Sequence, residues 1–195
     1  MSATYRPLLA AVLLTAALAA CQDPYAPEAQ FEVVTDTFAI YGINDAPLGA
    51  PNAVSLFSGV NGLPAVTAAP NFSFDFALDV ADDGTITLLP NSRVANRMLS
   101  PHRVGFQVVD VPFASLTAAP ASGYKFDSLL VVTPGQTIAI QSADPNACPV
   151  PYLGTWIYAK FVIDSVAEQP ARIFGRTTVD ANCDFRSLLP GIPED

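Results

Sequence analysis

Histidine is nearly missing from this chain: its 195 residues hold one His, one Trp, two Met and three Cys. That leaves little raw material for metal or acid–base chemistry, and no metal site or cofactor is expected. Basic residues are also scarce, 9 Lys and Arg against 18 Asp and Glu, for a formal net charge of −9. An acidic chain with no Lys/Arg run repels a phosphate backbone, so non-specific nucleic-acid binding is excluded. Charged residues make up only 14% and apolar residues 51%, which excludes a disordered chain. No HExxH, Walker A, GxGxxG or Gly-x-Ser-x-Gly pattern occurs. Proline and glycine, by contrast, are plentiful at 18 and 11, and they cut the chain into pieces too short for long helices.

The N-terminus stands apart from the rest. Arg6 supplies a short positive region, and residues 8–20 (LLAAVLLTAALAA) form an apolar stretch that ends in small residues. A spanning helix needs about 20 apolar residues, so this stretch reads as a secretory signal. Its end, Leu18-Ala19-Ala20-Cys21, resembles the lipobox of bacterial lipoproteins. The resemblance covers residues 1–21. It implies removal of residues 1–20 and lipidation of Cys21, which then attaches the protein to the membrane. A diacylglyceryl cysteine brings two acyl chains, enough for stable anchoring. Gln22 rather than Asp follows the cysteine. By similarity to enterobacterial sorting this implies the outer membrane, with the domain at its periplasmic face or on the cell surface. Residues 21–30 (CQDPYAPEAQ) are polar with two prolines and read as a tether, leaving 31–195 as the folded domain.

Within that domain the dominant signal is alternation. Phe72, Phe74, Phe76, Leu78 and Val80 alternate with Ser73, Asp75, Ala77 and Asp79, which predicts a half-buried strand with an aromatic inner face. Asp82-Asp83-Gly84 turns the chain back into residues 85–89, a first hairpin. Residues 128–133 and 136–141 around Pro134-Gly135 predict a second hairpin, and 155–166 with 171–179 a third. Further strands are expected at 32–43, 53–58 and 104–109, and one short helix at 92–99. About eight or nine strands with frequent turns predict an all-β antiparallel β-sandwich, with a small barrel as the alternative. Cys148 lies just before the third hairpin and Cys183 just after it, so in a secreted domain the two are expected to form a disulfide.

Four features carry potential chemistry. His102 sits in Ser100-Pro101-His102-Arg103, where an exposed turn histidine is expected. Asp75, Asp79, Asp82 and Asp83 match no calcium loop and read as a solvated strand face ending in a turn. Arg93, Arg97 and Arg103 concentrate positive charge, and on a helix Arg93 and Arg97 would share a face able to clamp an anion. Trp156, Tyr158 and Lys160 fall on one face of a strand, opposite Ile157, Ala159, Phe161 and Ile163. An exposed Trp/Tyr pair beside a polar group would make a platform for a glycan or an envelope protein, whereas a covering loop would make it part of the packing. The expectation is thus a lipid-anchored envelope β-sandwich acting as a non-enzymatic binding or structural module. An envelope hydrolase using an Asp pair as acid and base is the alternative.

Overall fold

A computed structural model describes residues 27–57, 63–65, 67, 73–94, 102–149, 154–168 and 170–193. The signal peptide, Cys21, Phe72, Arg97 and most of the helix expected at 92–99 lie outside the described residues. The strands are β1 (Val34–Tyr41), β2 (Ala53–Ser55), β3 (Leu63–Ala65), β4 (Phe76–Val80), β5 (Ile86–Pro90), β6 (Arg103–Val109), β7 (Lys125–Phe126), β8 (Leu130–Val132), β9 (Thr137–Ala143), β10 (Ile157–Glu168) and β11 (Ala171–Asp180). Among the described residues, helix α1 is Asn91–Val94. All strand pairings are antiparallel, in a six-stranded sheet ordered β1-β11-β10-β9-β6-β7 and a five-stranded sheet ordered β3-β2-β4-β5-β8. The two sheets stay open and form the expected β-sandwich rather than a barrel.

The expected first and third hairpins form, as β4–β5 and β10–β11. The second does not. Its two arms join different sheets: β8 pairs with β5, while β9 lies between β10 and β6. Pro134-Gly135 therefore makes an arch from one sheet to the other, held by Gly135 N–H donating to the Ile163 carbonyl at 2.8 Å. Alternation on both sides of a Pro-Gly turn is common to hairpin and arch, and only the partner strands distinguish them.

Aromatic rings connect the two sheets. Phe38 of β1 stacks on Phe161 of β10 with centroids 5.4 Å apart. Phe76 of β4 meets Phe161 edge-on at 5.2 Å and Phe106 of β6 at 5.9 Å. Edge-on and offset contacts of this kind add to the hydrophobic stabilisation of the buried rings. The Phe38 ring has room because β11 carries Gly175 beneath it. A Cβ there would stand 2.7 Å from Phe38 Cζ and 2.5 Å from the Val162 carbonyl oxygen.

The strand expected from Phe72 begins only at Phe76, and its alternation breaks before that point. The chain bends at Asp75. Phe74 consequently packs with Ala53 and Ala77, away from the main core that holds Phe76 and Leu78. Asp75 is fully buried, a correction to the expected solvated face, while Asp79 is half-buried and Asp82 and Asp83 are exposed in the turn.

The expected tether meets the domain at its last residue. Gln30 and Phe31 donate their N–H groups to Asn182 Oδ1 at 2.6 and 2.9 Å, and Asn182 Nδ2 donates back to the Phe31 carbonyl at 2.9 Å. Chain entry is thereby pinned beside the end of β11.

Candidate functional site

The two ends of the sandwich differ in chemistry. At the end where β9 finishes and β6 and β10 begin, three elements bring polar side chains into the interior. Asp75 comes from the bend before β4, His102 from the residue before β6, and Ser142 and Asp144 from the end of β9. His102 is 3% exposed, a second correction, because it lies between the sheets rather than on an outer turn. Its Nδ1 is 3.2 Å from Asp75 Oδ1 and 3.7 Å from Asp144 Oδ2. Ser142 donates its hydroxyl to Asp75 Oδ1 at 2.5 Å, and Leu56 N–H donates to Asp75 Oδ2 at 2.6 Å. Asp144 Oδ1 accepts from Asn146 N–H at 2.8 Å.

Burial by itself would lower the His102 pKa, but the hydrogen bond and charge of Asp75, then the charge of Asp144, outweigh it and leave it raised. Burial pushes the Asp144 carboxyl up, against the N–H of Asn146 and the charge of His102. The cluster is not a nucleophilic triad. Ser142 donates to the carboxylate instead of to the imidazole, and the group is closed to solvent.

The disulfide belongs to the same end. Cys148 and Cys183 are bonded, with Cα atoms 5.8 Å apart, as expected from their places on either side of the third hairpin. Cys148 N–H donates to the Asp144 carbonyl at 2.9 Å, so the bridge and the polar cluster share one turn. Beside the disulfide a recess of about 370 Å³ is lined by Phe31, Phe57, Phe185, Asn182 and residues of the entering chain. Asp180 is buried and accepts from both nitrogens of Asn182 at 3.0 and 2.8 Å. Burial pushes its carboxyl up to about 6, against the hydrogen bonds from Asn182 and Ser187.

The opposite end is solvated. Asp45, Asp82 and Asp83 line a recess of about 490 Å³ together with Pro134, Val166 and Ala171.

The expected aromatic platform is largely covered. Tyr158 and Lys160 are 6% and 5% exposed. A segment that starts with a 3-10 turn at Phe113–Ser115 and runs on without regular structure to Ala119 crosses the outer face of the six-stranded sheet, fixed by hydrogen bonds from Ala119 to Arg186 and from Leu188 to Thr117. Lys160 Nζ donates to the Leu116 carbonyl at 2.9 Å and lies 4.8 Å from the Phe113 ring centre. Burial lowers its pKa. Trp156 remains half-buried, tilted against Phe126 with centroids 5.2 Å apart. Of the expected anion site, Arg97 lies outside the described residues, and the other two arginines have partners of their own. Arg103 lies over the Phe126 ring at 4.5 Å, and Arg93 Nε donates to the Asp127 carbonyl at 2.7 Å.

Asp75, His102 and Asp144 come from three separate segments with no motif spacing, so no linear signal could have grouped them. No known protein family, curated protein or solved structure matches the chain.

Proposed function

We propose that the chain is a lipid-anchored cell-envelope protein whose β-sandwich serves as a non-enzymatic binding or structural module, most simply at the outer membrane. The observation that carries this reading is Leu18-Ala19-Ala20-Cys21 at the end of an apolar leader. The disulfide is consistent with an oxidising compartment. Pinning of Gln30 and Phe31 supports an anchoring role as well, since it fixes the direction from which the lipidated end reaches the domain. The solvated end, with Asp45, Asp82 and Asp83, is then the end turned away from the anchor and towards an envelope partner.

The hydrolase alternative is less well supported. Asp75 and Asp144 approach each other, but both are sealed from solvent, and acid–base work on a polymer needs two carboxyl groups in an open cleft. A Cys21→Ser variant tests the anchoring. It is expected to accumulate as unprocessed precursor and to take up no labelled fatty acid. Normal labelling of that variant rules out Cys21 as the lipid site.

A further inference from the structure

We propose that Asp75, His102 and Asp144 form a structural site for one divalent transition-metal ion of the zinc type, closing the anchor-side end of the sandwich. Asp75, His102 and Asp144 each offer one potential ligand atom, these atoms lie within 4.8 Å of one another, and all three residues are buried. Their arrangement leaves a proton deficit. His102 Nδ1 carries at most one hydrogen, and Asp75 Oδ1 at 3.2 Å is the atom placed to accept it. Asp144 Oδ2 is left in the interior with no hydrogen bond, 3.7 Å from the same nitrogen. A buried carboxylate oxygen facing an acceptor-rich space is costly unless a cation fills that space.

The remaining carboxylate oxygens are held as those of a metal centre are. Asp75 Oδ2 takes the Leu56 N–H and Asp144 Oδ1 takes the Asn146 N–H, so backbone donors orient both carboxylates and turn their other oxygens inward. In a four-coordinate zinc site, with metal–ligand distances of about 2.0–2.1 Å, neighbouring donors stand about 3.3 Å apart. The separations of 3.2 and 3.7 Å at His102 Nδ1 fall close to that spacing. One imidazole nitrogen with two carboxylate oxygens suits zinc better than calcium, which takes six to eight oxygens. Ser142 Oγ, 2.5 Å from Asp75 Oδ1, donates to that ligand oxygen, and the fourth position falls to a water. Burial on all sides makes the site a structural clip between the bend before β4 in one sheet and the ends of β9 and β6 in the other.

Elemental analysis of the full processed chain, purified without chelator, is expected to find about one transition-metal ion per molecule. Protein unfolded in chelator and refolded metal-free should melt lower and regain its midpoint on adding Zn2+. Asp144→Asn, which removes one ligand charge at constant shape, should lose both the stoichiometric metal and the Zn2+-dependent rise in Tm. Asp83→Ala, in the exposed turn, should keep both. If Asp144→Asn fails to fold, Co2+ added to the metal-free wild type provides the second readout, since a four-coordinate N/O site gives intense visible ligand-field bands. Absence of stoichiometric metal together with an unchanged Tm on adding Zn2+ or Mn2+ overturns the proposal, as does a Tm that responds to Ca2+ alone or a lack of cobalt bands.

Discussion

Asp75 and Asp83 flank the same strand, yet one lies sealed between two sheets and the other stands in water. Asp75 accepts from Leu56 N–H and the Ser142 hydroxyl and faces His102. Asp83 accepts from Thr85 N–H in an exposed turn. The comparison extends to the whole molecule: one end gathers the polar cluster, the disulfide, Asp180 and the incoming chain, while the other exposes its acids. Identical side chains thus do different work according to whether the neighbouring backbone leaves water a place. At the sealed end every polar group must find a protein partner or a cation, so each one specifies how the sheets meet. At the solvated end water satisfies the groups whatever their arrangement.

The largest expected effect breaks the comparison at its centre. Asp75→Ala strips acceptors from Leu56 N–H, the Ser142 hydroxyl and His102 at once and leaves all three buried. Removing one partner of a buried charged network costs about 3–5 kcal/mol, a large share of an ordinary domain stability. Urea unfolding should show that loss, or the variant should not accumulate as folded protein. A loss below about 1 kcal/mol would mean that the end is wetter than its burial implies.

Cutting the disulfide comes next. Cys148 and Cys183 are 35 positions apart, and closing a loop of that size stabilises by roughly 3–4 kcal/mol in the chain-entropy account. Cys183→Ala should therefore lower the thermal midpoint by about 10 °C. Because Cys148 shares a turn with Asp144, the turn from Asp144 to Cys148 should be the first to become sensitive to protease. Two titratable thiols in native protein would contradict the bridge outright.

How far these features were legible in the sequence follows the same division. Alternation identifies Ile157, Ala159, Phe161 and Ile163 as core, and the structure buries all four. It also finds the first and third hairpins, and with them the proximity of Cys148 and Cys183. Alternation cannot see coverage by irregular chain. Tyr158 and Lys160 lie on the face away from the core as expected, but the segment around Phe113 to Ala119 has no periodicity to announce that it covers them. It likewise cannot see a bend. One break at Asp75 moves Phe74 to the other face and turns a would-be solvated carboxylate inward. The polar cluster was illegible for a topological reason: its members meet only because β9 and β6 are neighbours in one sheet while the bend before β4 belongs to the other.

Asp180 sharpens the comparison through pH. Its carboxyl is pushed up to about 6 from an ordinary 3.8, so the native state holds this proton over a range where the unfolded chain has released it. Its contribution is fully present below about pH 4 and is lost as pH rises through about 6. The loss should be on the order of 2 kcal/mol. Asp180→Asn, which imitates the protonated acid, should flatten this part of the stability profile in denaturant melts at pH 4 and 6.5. An unchanged profile would show that another group sets it. Since Asn182 links Asp180 to Gln30 and Phe31, the same variant should also make amide exchange at those two residues less dependent on pH.

Asp83 gives the smallest effect and the opposite sign. Thr85, through its N–H and then its hydroxyl, holds this carboxyl below its ordinary value. The folded state therefore releases its proton before the unfolded chain does. Any stability it adds is present above the unfolded value of 3.8 and lost as pH falls through the lower folded one. Full exposure lets water replace what Thr85 provides, and salt screens the charge. Asp83→Ala should leave the neutral-pH thermal midpoint where it was, within the reproducibility of the melt. The turn should survive as well, because Gly84, with φ at 81°, supplies the left-handed residue that the reversal needs. A clear drop at neutral pH would mean that Asp83 is engaged by more than Thr85. The solvated end would then carry structure of its own, and the contrast with Asp75 would rest on degree of burial instead of on the presence of water.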